Sequence, residues 1–418
     1  MKKHFMVLSL LLAFLTCISG NTYGEEVIDI GTLFPMSGPM ALGGIRDLNG
    51  VELATLMVNE KGGVLGKKIN LVKADASSPE AAQSEAERLI TLKKIKLIIG
   101  SYSSQIAFVA SAVAEKNGVI YWEMVAVADN LTQRGFKYFF RTGCSASLLG
   151  VTAANFAGEA VASKLGKSPK ELKVGVIHED SLFGSTVGPA GAKRLKELGF
   201  NVVAVESYNA KTTDLSPLVM KLKALNPDII ITTSYINDGI LLCRQMKELN
   251  LNTKVLIGTG GGFETPDFGK GLGKDVNGFF SLQPLFFTNP AALDPKLDPP
   301  LKDVLKRFKE KYGYEMDSPG MSGFGAAMVL YKFVLPKAGS FDPEAVRKAA
   351  LQVDVPEGST VLGFGIKFAG DGDPNQGQNI KAYTGAMQWQ NEKSYVVYPK
   401  KNAEKDIIDI PLKPWNKR

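Results

Sequence analysis

Short runs rich in Val, Ile and Leu alternate with longer stretches of helical period over most of this chain. Residues 27–33 (VIDIGTL), 68–74 (KINLVKA), 96–100 (KLIIG) and 119–122 (VIYW) read as strands, with helices over 44–60, 80–93 and 105–117 between them. Leu48, Val51, Ala54 and Val58 recur at spacings of three and four, which puts one apolar face on the first helix. The rhythm restarts after Cys144, with strands at 173–178, 201–207, 228–233 and 254–258 and helices at 185–198, 216–225 and 238–249. Nearly continuous apolar strands joined by helical crossovers predict parallel sheets covered on both faces. Two such sets predict an α/β protein of two doubly wound lobes. After a loop rich in Pro and Asp at 288–300, helices near 300–312, 321–335 and 342–351 precede strand-like pieces at 362–368, 383–389 and 394–398. These leftover elements are expected to return and complete both lobes.

The amino terminus changes the compartment. Lys2 and Lys3 precede an apolar run from Phe5 to Leu15, and small residues near Thr22-Tyr23-Gly24 suit a signal peptidase. Residues 1–24 therefore read as a cleaved signal peptide and the mature chain as periplasmic. The apolar run is shorter than the roughly 20 residues of a membrane span, and no later stretch reaches that length. Lipid attachment at Cys17 is disfavoured by the bulky Thr16 before it.

Composition narrows the chemistry. The chain has 418 residues, enough after processing for two or three domains. Its charge of +7 is dispersed with no basic block, which argues against nucleic acid as a partner. Cys144 and Cys243 remain after processing and read as small buried residues, although one disulfide is permitted. His178 is the sole histidine left, so imidazole-based zinc sites and Ser-His or Cys-His nucleophile pairs lose plausibility. The run 258–262 (GTGGG) fails the G-x-G-x-x-G spacing, and no other cofactor motif is present. Neither an enzyme nor a cofactor is expected.

In open parallel sheets ligands bind beyond the carboxyl ends of the strands. Ser103 and Ser104 follow the third strand, where they either cap a helix beginning near Gln105 or help its amino end receive a carboxylate. Glu123 ends the fourth strand among apolar neighbours, as a ligand-directed acceptor or a structurally satisfied carboxylate. Ala126 and Val127 follow it. Phe183 and Tyr235 lie in second-lobe loops and either flank an apolar ligand or pack on their own lobe. The adjacent Glu179 and Asp180 read as solvated loop charges.

The blocks IGTLFPMSGPMALGG, VNEKGGVLGKKINLVKADASSPEAA, LIIGSYSS, AEKNGVIYWEMVAVADNLTQRGFKYFFRT and VGVIHEDSLFG, in this order, resemble the branched-chain amino-acid class of periplasmic substrate-binding proteins of ABC transporters. The likeness implies the type I binding-protein fold, two lobes joined by three crossovers near 142–145, 276–280 and 366–372. It divides the mature chain into lobe 1 (25–143 plus 279–368) and lobe 2 (144–278 plus 369–418). It implies a monomer that takes a small-molecule ligand and delivers it to a membrane permease. Ser104 matches the serine that holds the ligand carboxylate, and Ala126 and Val127 fall in the segment that shares that task. Phe183 and Tyr235 match second-lobe aromatics. Two positions depart from the pattern: Gly43 stands where amino-acid binders place an aromatic, and Gly260 where they place the acid that pairs with the ligand ammonium. The 121–123 block (YWE) looks more like members that take aromatic or other organic acids. A carboxylated solute other than an α-amino acid is thus expected, with a ligand-sensing module as the alternative function.

Overall fold

The computed structural model describes residues 26–284 and 293–418. The signal peptide and Cys17 lie outside the described residues. The first sheet is built from β1 (Val27–Phe34), β2 (Lys68–Asp75), β3 (Leu97–Gly100), β4 (Ile120–Glu123) and β5 (Phe139–Arg141) in the order β2-β1-β3-β4-β5, all parallel. The second contains β6 (Lys173–Glu179), β7 (Asn201–Tyr208), β8 (Ile229–Thr233), β9 (Val255–Thr259) and β10 (Phe280–Pro284). A small antiparallel pair, β11 (Asp354–Val355) and β12 (Ile366–Lys367), precedes β13 (Thr384–Gln390) and β14 (Lys393–Tyr398). The second sheet runs β14-β13-β10-β9-β8-β6-β7, parallel from β7 to β10 and antiparallel through β13 and β14. Burial on both faces explains the unbroken apolar strands. Ile98 and Ile99 of β3, and Ile229, Ile230 and Ile231 of β8, are all buried.

The helix Ser318–Val329 is buried along its whole length, and it packs against Ala41–Glu60 over the first sheet. Asp317 caps it by accepting the Gly320 N–H at 3.2 Å, and Pro319 occupies its first turn, where a missing N–H costs nothing. Trp122 of β4 donates its indole N–H to Ala326 O of this helix at 2.9 Å. The helix Leu301–Tyr312 joins the same core through Val304 and Phe308. The carboxyl third thus returns to the first lobe and then, through β13 and β14, to the second.

Two strands escape the periodicity. β5 has three residues, too few to show a period, and β10 alternates polar Ser281 and Gln283 with apolar neighbours before ending on Pro284. β5 falls within the expected first-lobe segment, whereas β10 moves a boundary. Because β10 pairs with β9 in the second sheet, the second passage between lobes comes after Pro284 rather than at 276–280. Residues 369–379 stay with the first lobe, since Arg141 N–H donates to Gly377 O and Asn379 N–H to Arg141 O, both at 2.9 Å. The third passage therefore falls between Asn379 and Thr384, not at 366–372. Cys144 and Cys243 are buried and unpaired. No helix among the described residues is long and apolar enough to cross a membrane.

Candidate functional site

At the end of β4 the chain folds back over its own last side chain. The buried Glu123 carboxylate accepts backbone N–H groups from Ser101 (2.5 Å), Met124 (2.8 Å), Val125 (3.0 Å) and Ala126 (2.9 Å). Arg141, equally buried, holds the carbonyl side of the same loop, donating to Ala126 O (3.0 Å) and Ala128 O (2.8 Å) and to Gln378 Oε1 (2.7 Å). Burial pushes the Glu123 carboxyl up to about 8 against the pull of those N–H groups, and draws Arg141 down to about 10. The bracing presents Val125 and Val127 to the space between the lobes. Glu123 and Ala126, expected at the ligand, do not line that space. The Glu123 oxygens and the Ala126 N–H are spent on the loop itself.

The neighbouring serines divide differently from either expectation. The helix Ser104–Lys116 starts at Ser104, and Ser103 occupies the capping position without making a capping bond. Ser103 is buried, its hydroxyl near that of Tyr235 in the other lobe without a well-formed hydrogen bond. Ser104 Oγ accepts the Ala128 N–H at 3.2 Å, which leaves its own hydrogen to donate into the cavity it lines. The first N–H groups of a 13-residue helix lie beside it, the positive end of a helix dipole.

The second lobe repeats the bracing. Glu179, at the end of β6, is buried rather than solvated, and accepts the N–H groups of Ser181 (2.6 Å) and Gly184 (2.5 Å) and the Ser181 hydroxyl (2.7 Å). The turn so fixed presents Phe183, whose ring lies 5.4 Å from that of Tyr235 at 52°. Both rings line the cavity and pack on each other. Gly260 lines it too. With φ of +60° and a would-be Cβ 2.8 Å from Phe183 Cζ, a side chain here would collide with the aromatic. Gly43 is explained in the same way, because a Cβ there would stand 2.2 Å from Tyr102 Cζ. The ring missing at position 43 is supplied by Tyr102, which stands 5.8 Å from Tyr235 across the cleft.

Several lining residues went unread in the sequence, among them Leu149, Gln283 and Ser318, and two more are polar groups with chemistry of their own. Tyr102 is one. Glu264 is the other: it follows the glycine run, is 9% exposed, and its Oε2 accepts from Ser281 Oγ at 3.2 Å, which in turn accepts from Gln283 Nε2 at 2.9 Å. Burial lifts its carboxyl to about 7, while Ser281, Ser318 and the Arg46 charge pull downward. The only signal in the sequence is an acid after the fourth strand of the second lobe, which cannot show that the loop curls back over the cleft.

The cavity encloses about 550 Å³, open space at its mouth included, with walls from both lobes. The lobes also touch around it. Tyr102 OH lies 3.5 Å from Gly261 O, and Asn237 Nδ2 donates to Pro39 O at 3.3 Å. The Arg46 guanidinium, over the Tyr314 ring at 4.7 Å, pairs with Asp317 of its own lobe and Asp267 of the other. Among the described residues no cluster of His, Cys, Asp or Glu could hold a metal ion.

Two braced loops face each other across an interlobe cavity on a pair of sheets, the architecture of a small-solute binding protein. The chain belongs to the periplasmic binding protein family, whose model matches residues 27–390. It is 36% identical over 408 residues to the Leu/Ile/Val-binding protein homolog 7 of Brucella suis, covering 97% of this chain and 99% of that one. It is 34% identical over 390 residues to homolog 8 of Brucella abortus, covering 92% and 94%. A leucine-binding protein from Thermotoga maritima has the same fold, with a TM-score of 0.75 and 24% identity over 88% of this chain and 97% of that one. So does a solute-binding protein from R. palustris solved with benzoate, at a TM-score of 0.73 and 19% identity, covering 88% and 95%. The fold is the type I binding-protein fold, and the chain is a substrate-binding protein of ABC transporter type, a family without enzymatic activity.

Proposed function

We propose that this protein traps a small carboxylated organic solute, an aromatic or other organic acid rather than a branched-chain amino acid, and delivers it to the permease of an ABC transporter from the periplasm. One observation carries the reading. Ser104 offers a hydroxyl hydrogen and a helix amino terminus at one wall of a cavity otherwise faced by Val125, Val127, Leu149, Phe183 and Tyr235. A carboxylate gains charge-assisted hydrogen bonds at the first group, and an apolar body gains burial against the second. The names of the relatives favour branched-chain amino acids instead. Against that, Gly260 brings no acid to the position where a ligand ammonium would be paired, and Glu264, the carboxylate on the cavity wall, is already bonded to Ser281 and raised to about 7 by burial, which makes it a weak partner for an ammonium. Coverage of nearly the whole length of binding-protein relatives favours transport over a sensing module.

A thermal-shift screen of the purified mature chain against aromatic acids, aliphatic acids, amino acids and amides tests the reading. A tight ligand at 100 times its dissociation constant stabilises the folded state by about 2.7 kcal/mol. Scattering should then show compaction on saturation, because ligand bridging both walls favours the closed form. Stabilisation by leucine and valine but by none of the acids overturns the assignment.

A further inference from the structure

The segment after β14 is fastened to the second lobe. Leu412 N–H donates to Lys254 O at 2.8 Å, Trp415 N–H to Asn252 Oδ1 at 2.9 Å, and the Trp415 indole N–H to Leu251 O at 2.7 Å. The buried Trp415 ring meets Phe279 edge-on, with centroids 6.0 Å apart. Arg418 lies over Trp415, its Cζ 4.0 Å from the ring centroid. Its Nε donates to Lys413 O at 2.7 Å and its Nη1 to Asp275 O at 3.3 Å, which fixes the guanidinium and leaves Nη2 without a partner among the described residues. Arg418 lines a hollow of about 710 Å³, open space at its mouth included, together with Lys274, Lys413 and Lys417. Asn277, on the same lining, holds the β13–β14 turn in place by accepting the Glu392 N–H at 2.8 Å. None of these residues lines the interlobe cavity. Elsewhere on this lobe Lys247 and Lys254 are spent on Asp275 and Asp228, at 2.6 and 2.5 Å. Lys274, Lys413 and Lys417 are exposed and have no carboxylate partner among the described residues. Even with Asp409, the one acidic side chain on the lining, and the α-carboxylate of Arg418 set against them, the cations are in excess, and a concave surface focuses their field on an anion.

We propose that this hollow is a second binding site, separate from the transport cleft, for a phosphate-bearing anion. A tetrahedral dianion accepts from the oriented Arg418 fork and from several ammonium groups at once, whereas a monocarboxylate brings a single charge to share among them. Free phosphate and the phosphomonoester headgroup of a lipid offer the same chemistry, and the exposed lysines at the mouth are open to either. The site is independent of the solute that the cleft holds. The sequence conceals it, because Lys274 is brought to the 413–418 segment only by the fold.

Calorimetry on the full mature chain with inorganic phosphate and with acetate tests this, beside cosedimentation with vesicles of phosphatidylcholine alone or with added phosphatidic acid. Phosphate should bind saturably, more tightly than acetate, and more weakly as salt is raised. The triple variant Lys274→Gln/Lys413→Gln/Lys417→Gln removes exposed side chains and should keep the fold while weakening phosphate about tenfold or more. Arg418→Lys keeps the charge, loses the fork, and should lie between. Lys93→Gln/Lys94→Gln, an exposed pair on the first lobe, should bind as wild type does. Sedimentation with the phosphatidic-acid vesicles alone, lost in the triple variant, assigns the site to a lipid headgroup; phosphate binding without sedimentation assigns it to a free phosphate. Acetate binding as tight as phosphate, binding unchanged in the triple variant, an equal loss in Lys93→Gln/Lys94→Gln, or no binding of phosphate or vesicles by the wild type overturns the proposal. The reading of the cleft stands in each of those cases, since neither probe set reports on it.

Discussion

The two walls of the cleft share a construction and differ in what they present. Each begins with a strand ending on a buried glutamate, Glu123 on β4 and Glu179 on β6, that turns back to take the N–H groups of its own loop. In the first lobe this bracing, completed by Arg141, surrounds a hydroxyl and a helix amino end. In the second it aims an aromatic ring, with glycine in place of any bulk behind it and a carboxylate on the cavity wall. Carboxylates on strand ends beside a cleft therefore serve opposite purposes, and the test is where their oxygens go. Those of Glu123 and Glu179 go mostly to the backbone of their own loops; one oxygen of Glu264, itself on the cavity wall, goes to the Ser281 hydroxyl.

The largest expected effect separates brace from contact. Glu123→Ala leaves buried N–H groups unpaired, each at a cost of about 1–3 kcal/mol, and should unfold the protein or lower its Tm by well over 10 °C. Melting followed by circular dichroism checks this, and a Tm within a few degrees of wild type would return Glu123 to the list of groups poised for ligand. Ser104→Ala should do the reverse, sparing the fold and weakening a carboxylated ligand by about ten- to hundred-fold, the worth of a hydrogen bond to a charged group. Equal affinities in calorimetry would make Ser104 a structural partner of Ala128 and nothing more.

Acidity sharpens the same contrast. Burial holds Glu264 and Asp238 at about 7 and Glu123 at about 8, all above the ordinary carboxylate range. Between that range and these values the folded protein binds more protons than the unfolded chain through these groups, so over that interval their contribution to stability falls as pH rises toward 8. The ligand-free protein should melt several degrees higher at pH 5 than at pH 8.5. Glu264→Gln should flatten part of that slope. A melting temperature that rises over this interval would contradict the burial-driven shifts.

The smallest effect concerns the contact between lobes. Arg46 keeps Asp317 in any arrangement of the lobes, whereas its bond to Asp267 exists only when they meet. Asp267→Asn should weaken ligand binding only a few-fold, through faster dissociation, because a partly exposed ion pair contributes about 1 kcal/mol or less. Stopped-flow release measures it. A change confined to the association rate would remove Asp267 from closure.

Much of the fold was legible because each βα unit carries its own evidence: apolar strands of usable length, helices with a three-and-four stripe, and turn residues between them. β5 and β10 were not, since three residues show no period and a polar alternation ending in Pro does not resemble a buried parallel strand. The lobe boundaries shifted with β10. At the site, Ser104, Val127, Phe183, Tyr235 and Gly260 all reach the cavity wall, while Ser103, Glu123 and Ala126 are not among its lining residues.

The sequence by itself determined the α/β alternation, the two lobes and the loops that face the cleft, because hydrophobic period and strand-end position are local properties. Only the tertiary structure decided which carboxylate is a brace and which faces ligand, and that Tyr102 fills the space left by Gly43. It also decided that the cavity wall carries a carboxylate, Glu264, although position 260 has none. A side chain's role depends on which backbone groups and rings come within a few ångströms of it, and at this cleft those neighbours come from segments as far apart in the chain as Tyr102, Glu264 and Ser318.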